Sequence, residues 1–368
     1  MTIHGILYSI VFEYLEFYDK HTLRRIDKYM NKLKITDMYN IDKKYLKKLD
    51  DYILINYDFI VKLNAYDNIK ISNVNHLKKI KILCATGCCN IGNYGIAKIN
   101  LEELDTSWNK KITNVNHMSN LKKLTATCTC GINDSGIKKI NLEELNASDN
   151  VTITNVNHMS NLRILDASYH CGINDDGIKN VNLKVLRADE NRRIKNINHM
   201  TKLRHLSAYR NNEISDDNIR NLDLEILDAG DNEKITNVNY MKNLKMLDAS
   251  GSCGIDNNGI INLNLEEIIV SYNPKITNIC HMTNLKILKA SGHCGIDDNC
   301  IKKLNLEKLD ASNNPKITNV NHVTNLKELS ACGSCGIDDD GIKNINIEIL
   351  YANLNHKITN LKSNKVHV

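Results

Sequence analysis

The chain has 368 residues, 42% hydrophobic and 25% charged, with two prolines and a formal net charge of +5. That composition describes an ordered, water-soluble protein and argues against proline-rich disordered tails. The small net charge, with no block of like charge, points away from nucleic acid as a partner. No apolar run reaches the roughly 18–20 residues of a membrane span. The expected partners are therefore proteins, with no nucleic acid, no membrane, no cofactor and no metal. Phe and Trp are scarce, at three and one, so the core must be built from Ile, Leu, Val, Met and Ala.

The first 59 residues stand apart from the rest of the chain. Glu13 and Glu16 interrupt the opening apolar run, and the segment lacks a basic leader and a small-residue cleavage site, so no signal peptide is expected. The expected location is intracellular and cytoplasmic, where the twelve cysteines are reduced thiols. Ile6, Leu7, Ile10, Val11, Tyr14 and Leu15 recur at helical spacing, and Leu23, Ile26, Tyr29, Met30 and Leu33 form a second amphipathic run. One reading is a helical cap over the first coil of a repeat array. The other is a resemblance: I-L-x-x-I-V-x-x-Y-L-x-x-x-D-x-x-x-L-x-x-I-x-x-Y, within residues 3–34, resembles the helices of the F-box family. The leading Leu-Pro and the later Trp of that motif are missing. The resemblance implies that Ile6, Leu7, Ile10, Tyr14, Leu15 and Leu23 bind a Skp-type adaptor of a cullin-type ubiquitin ligase.

From residue 60 the sequence repeats. The Leu or Ile that opens each L-x-x-L falls at Ile60, Ile80, Leu101, Leu121, Leu142, Leu162, Leu183, Leu203, Leu224, Leu244, Leu265, Leu285, Leu306, Leu326 and Ile347. These are 15 starts spaced alternately by 20 and 21, so the unit is a pair of 41. Repetition at such a period is the mark of a solenoid. Apolar and polar residues alternate in each L-x-x-L-x-A opening, which predicts a short strand with one buried face. In the first member of every pair, Asn stands eight residues after the opening position: Asn68, Asn109, Asn150, Asn191, Asn232, Asn273, Asn314 and Asn355. A buried amide column there can bond backbone groups whose desolvation would otherwise cost roughly 1–3 kcal/mol each.

The pattern L-x-x-L-x-x-x-x-N resembles the leucine-rich-repeat family, and the second member, with C-G-I-x-D-x-G-I, resembles its cysteine-containing subclass. F-box plus cysteine-containing leucine-rich repeats is a known family combination. The Asn-, Lys- and Ile-rich composition also resembles proteins of large DNA viruses of amoebae, which would place the chain in host cytoplasm. The implied fold is an α/β repeat solenoid, a right-handed coil with a parallel sheet on its concave face. Its expected divisions are a helical module at 1–59, the solenoid at 60–361 and a short basic tail at 362–368. The residue after each opening position alternates in sign, from Lys81, Glu102, Lys122 and Glu143 through to Glu307, Lys327 and Glu348. Strands about 4.8 Å apart would set these charges side by side.

Cys89, Cys130, Cys171, Cys253, Cys294 and Cys335 sit nine residues into the second members, with Asn212 in that slot once. Equivalent positions are two coils apart, roughly 10 Å, beyond disulfide reach of about 7 Å and too far to share a zinc ion. The expected role is a small buried residue filling a turn. Cys332 and Cys335 form a single C-x-x-C with no second ligand pair. Cys280 and Cys300 share a register in adjacent coils, where other copies carry Asn and Gly. The histidines of N-V-N-H-M (His76, His117, His158, His199, His281 and His322) recur with the same 41-residue period, which suits packing or turn hydrogen bonds.

The exposed strand face is mostly small and polar, as a solvated sheet would be. Residues 183–212 depart from it, breaking the charge alternation, the cysteine column and the serine column together. They predict a partner-binding patch of Arg187, Asp189, Glu190, Arg204, His205, Tyr209 and Arg210, with Trp108, Tyr169 and Tyr272 on the same rim. Tyr, Trp and Arg are the usual anchors of protein interfaces. No phosphate loop, nucleophile elbow or zinc-protease motif occurs, so no enzyme is expected. The leading expectation is a substrate-recruiting adaptor of a ubiquitin ligase. The alternative is an interaction scaffold without that link.

Overall fold

The structure, a computed structural model, describes residues 36–40, 46–359 and 366–367. The six F-box-like positions Ile6, Leu7, Ile10, Tyr14, Leu15 and Leu23 lie outside the described residues. The chain divides into two compact units, Met1–Val181 and Asn182–Val368.

In the first unit, three-residue strands from Lys62–Asn64 to Ile164–Asp166 pair in parallel, each with the next. Asp37–Met38 adds to the Lys62 strand, so the ladder begins ahead of the first repeat. The second unit repeats the arrangement from Val185–Arg187 to Ile349–Tyr351, and Val366–His367 pairs with the last of these. Wherever two three-residue strands pair, Leu or Ile faces Leu or Ile at the centre, as Leu104 does Leu124, while Met38 faces Leu63 and Val366 faces Leu350 at the ends of the ladder. Each unit is thus a leucine-rich-repeat solenoid with a parallel sheet.

The strands are short because the sequence supplies only one large inward residue to each. Leu104 is buried between exposed Glu103 and half-buried Asp105. The next inward residue is Thr106 or, one coil on, Ala126, and both are fully buried. Beyond it the chain turns back. In the first members Ile112, Val115 and Met118 then carry the core across the unit to Leu121. Burying one such side chain is worth about 2 kcal/mol, and the columns repeat it coil after coil.

The turn is held by the asparagine column. Asn109 Nδ2 donates to Ala85 O at 2.7 Å and Ile91 O at 3.0 Å, and its Oδ1 accepts from Lys111 N at 2.8 Å. Asn150, Asn273, Asn314 and Asn355 make the same inter-coil bonds. Asn68 instead reaches Leu46 O and Leu49 O, so the chain from residue 46 serves as the coil beneath it.

Helical structure in the repeats is confined to one turn in each second member, such as Asp134–Ile137. The residue after C-G-I caps it: Asn133, Asn174, Asp297 and Asp338 each accept the N–H three residues on. The glycine of the G-I pair allows the coils to approach. A Cβ on Gly136 would lie 2.1 Å from Thr113 O. Among the described residues no helix is long and apolar enough to cross a membrane.

The recurring cysteines fill turns as expected. Cys171, Cys253, Cys294 and Cys335 are fully buried, and Cys89 and Cys130 nearly so. All twelve cysteines are free thiols. Burial pushes the Cys253 thiol up to about 12 and those of Cys89 and Cys335 to about 11. Three of the column's histidines make turn hydrogen bonds: His117, His158 and His281 place Nε2 at 3.0–3.2 Å from the carbonyls of Ile96, Ile137 and Ile260, which end the preceding helical turns.

One coil departs from this pattern. Asn212 does not take over the cysteine's buried role, because its side chain is half-exposed and caps Glu233 N. Asn211 does so instead. It is fully buried and its Nδ2 donates to Ala188 O, Asn191 O and Ile194 O. This second member has a ladder asparagine in the register of the first members, eight residues after Leu203.

Candidate interaction rim

Where each strand ends, the open face of the sheet is edged by a turn that local chemistry builds. Asp105 Oδ1 accepts from Ser107 N at 2.9 Å and from Ser107 Oγ at 2.6 Å. Asp166, Asp248 and Asp310 hold the N–H of Ser168, Ser250 and Ser312 in the same way, and Asn146 holds that of Ser148. The Asp and Ser columns of the open face are therefore strand-ending turns.

One residue further, the backbone enters the left-handed region. The column runs Asp67, Gly87, Trp108, Cys128, Asp149 and Tyr169 in the first unit. In the second it runs Glu190, Arg210, Asp231, Gly251, Tyr272, Gly292, Asn313, Gly333 and Leu354, with φ throughout the column between 51° and 67°. Gly, Asn and Asp adopt this conformation readily, whereas other residues are strained by about 1–2 kcal/mol. Trp108, Tyr169 and Tyr272 nevertheless occupy it with their side chains 58%, 49% and 59% exposed. Leu354 does so at 79%. The register places Trp108 and Tyr169 three coils apart in the first unit, and Arg210 and Tyr272 three coils apart in the second, about 14 Å in each case.

The predicted patch at residues 183–212 is only partly assembled. Arg210 is its hub. Its guanidinium lies 4.9 Å from the Tyr209 ring centre, 3.1 Å from Asp231 and 3.6 Å from Glu190. Asp189 accepts from Ser207 Oγ at 2.5 Å and from Tyr209 N at 3.1 Å. Arg187 and His205 lie on neighbouring strands. Burial, and then the Arg187 charge, hold the His205 ring below its ordinary pKa. Arg204 does not join them. It sits at the other end of its strand, bonded to Thr201 O and Leu203 O and 3.9 Å from Asp223.

Beside the hub, Asp228 is pushed up to about 6. Burial is the main cause, opposed by the bond from Gly230 N and reinforced by Asp248 and Asp189. The sequence reading missed the left-handed column, Leu354 and the role of Asn211. The recurrence of Gly87, Gly251, Gly292 and Gly333 at one register was the available signal. Among the described residues no three His, Cys, Asp or Glu side chains converge as a metal site would require.

No family model matches the sequence, and no curated protein is found to be similar to it. Solved structures are similar in fold. The TLR13 chain of a TLR13–ssRNA13 complex aligns with a TM-score of 0.52 and 19% identity, over 87% of this chain and 48% of that one. This chain thus spans about half the length of that protein. A chain from the yeast Rad7–Elc1 complex aligns at 0.43 and 16%, over 86% and 95%. The functional domain of InlJ from Listeria monocytogenes, described as including a cysteine ladder, aligns at 0.35 and 21%, over 88% and 69%. The parallel ladder, the buried asparagine column and the single large inward residue of each strand make the chain a leucine-rich-repeat protein by fold.

Proposed function

We propose that the chain is a protein-interaction scaffold whose contact surface is the left-handed rim. Its anchors are Trp108 and Tyr169 in the first unit, and Tyr209, Arg210 and Tyr272 in the second. The observation that carries this reading is the set of exposed aromatic side chains at strained positions. Glycine at the same register in other coils would be easier for the backbone, and the aromatic rings gain little from packing while half-exposed. Such rings have the makings of interface hot spots. Arg187, Asp189, Glu190 and His205 would form the polar border of the second-unit site.

Trp108→Gly is expected to leave stability unchanged or raise it by up to about 1 kcal/mol in urea unfolding, since lost strain offsets added chain entropy. The variant with Trp108, Tyr169 and Tyr272 all changed to Gly should fold and lose the proteins that the wild type captures by proximity labelling. An unchanged set of captured proteins would sink the proposal.

A finer reading rests on the F-box-like spacing of residues 3–34. There, Ile6, Leu7, Ile10, Tyr14, Leu15 and Leu23 bind a Skp-type adaptor, and the rim holds the target for ubiquitination. Binding of the purified protein to such an adaptor, compared with a Leu7→Asp, Leu15→Asp variant, tests it. If the wild type fails to bind, the scaffold stands without a ubiquitin connection.

A further inference from the structure

One pair of adjacent coils in the second unit departs from its fellows at two touching positions. In most copies, one register holds an asparagine that bridges coils. Asn116 Nδ2 donates to Ser135 O at 2.8 Å and its Oδ1 accepts from Lys139 N at 2.7 Å. Asn75, Asn157, Asn239 and Asn321 do the same. The facing register in the next coil holds Gly95, Gly136, Gly177, Gly259 or Gly341, where a Cβ would come within 2.0–2.2 Å of a carbonyl oxygen of the coil before. Each glycine carbonyl accepts the N–H of a valine: Val74, Val115, Val156, Val238 or Val320.

In the departing pair of coils Cys280 stands in place of the asparagine and Cys300 in place of the glycine. The added side chain displaces the backbone bond. Ile279 N now donates to Cys300 Sγ at 3.3 Å, and the freed Cys300 carbonyl accepts from the Cys280 thiol at 3.3 Å. The Cys280 thiol also adds to the rise in the Cys300 pKa that burial begins. Cys280 is half-exposed, whereas Cys300 is 3% exposed. Replacing the glycine alone, as Asn218 does, leaves the facing asparagine's donor bond in place, Asn198 Nδ2 to Asp217 O at 2.7 Å, whereas the two cysteines replace both partners. Together they build a local structure in which each thiol serves the other coil's backbone. That pairing distinguishes them from the recurring cysteines, whose equivalents lie two coils apart.

We propose that Cys280 and Cys300 form a reactive dithiol, a modification site at which a low-molecular-weight disulfide such as oxidised glutathione converts the pair into an intramolecular disulfide. The accessible Cys280 gives up its proton and attacks one sulfur of the small disulfide. That S–S bond breaks, and a small thiolate leaves and takes up a proton. Cys300 then loses its proton and attacks Cys280 Sγ, releasing the second small thiol. Two protein thiols are oxidised by two electrons, and one small disulfide is reduced to two thiols. Burial holds the Cys300 thiol up at about 12, so the second step is the slower one and quickens as pH rises.

The full-length protein is titrated with oxidised glutathione, quenched in acid and followed by intact mass and peptide mapping. Trypsin cuts between the two cysteines at Lys286 and Lys289, and Asp-directed cleavage at Asp297 and Asp298 separates Cys300 from Cys294. The expected product has lost two thiols, carries a Cys280–Cys300 link and is restored by dithiothreitol. A glutathione adduct on Cys280 precedes it and decays faster at higher pH. Cys280→Asn with Cys300→Gly restores the repeat's own sequence, so this variant keeps its fold and forms no link in this coil. Cys300→Gly alone should stop at the adduct. The proposal is overturned if the wild type also stops at the adduct, or if Cys280 and Cys300 both stay reduced while exposed Cys88 is glutathionylated.

Discussion

At the scale of single residues, what matters is which side chain meets the backbone's needs. Asn211 and Asn212 are neighbours of the same type, yet only Asn211 binds three carbonyls while fully buried. Asn211→Ser is expected to cost about 3 kcal/mol in urea unfolding, because buried carbonyls lose their donor. Asn212→Ser should cost less than about 1 kcal/mol, since Glu233 N can turn to water. Equal effects would show that the buried role has been placed wrongly. Asp228 makes a pH-dependent counterpart. Its folded pKa of about 6 lies above the unfolded value of about 3.9. The folded state therefore holds the proton more tightly, and this contribution to stability is present below pH 4 and lost as pH rises through 6. Asn64 and Asn146 already fill the same register. Asp228→Asn should accordingly stabilise at pH 7 by about 1–2 kcal/mol, allowing for partial solvent screening. The gain should vanish below pH 4. A gain of the same size at pH 3.5 would show that charge is not its cause.

At the scale of elements, the one-turn helices are too short to stand alone, and they persist because each is tied to the next coil. Asp298, the first residue of its turn, accepts from Thr318 N at 2.7 Å, Thr318 Oγ1 at 2.5 Å and Asn319 N at 3.2 Å. Asp134 with Thr154, Asp216 with Thr236 and Asp339 with Thr359 repeat the tie. Asp298→Ala is expected to cost about 1–2 kcal/mol and to raise amide exchange at Thr318 and Asn319 in particular. Exchange left unchanged at those two amides would remove the tie from the account. Strand positions were legible in the sequence because one large apolar residue recurs with period two between polar neighbours. The tie was not, since Asp in the first turn also reads as ordinary helix-end chemistry. Its partner lies some 20 residues downstream, and only stacking brings it near.

At the scale of the whole chain, the alternating charge column is realised as ion pairs. Lys81 meets Glu102 at 2.7 Å, Lys122 meets Glu143 at 3.9 Å and Lys327 meets Glu307 at 3.4 Å. All are well exposed, so each contributes little. Lys81→Glu should cost under about 1 kcal/mol at low salt and almost nothing in molar salt, read from urea midpoints at both. A large, salt-independent loss would show that the column does more than hold register. By itself the amino-acid sequence determined the repeat, its strand register, the asparagine column and the burial of the recurring cysteines. Each of these comes from a period that any stacked coil must share. Three features were decided only by tertiary structure: that Arg204 leaves the patch its neighbours form, that the rim residues are held left-handed, and that the Cys280 and Cys300 thiols each bond the backbone of the other's coil. These depend on where the chain turns and on what lies one coil away. Neighbours about 20 residues apart in sequence meet only once the backbone's hydrogen bonds and the core's close packing have set the pitch.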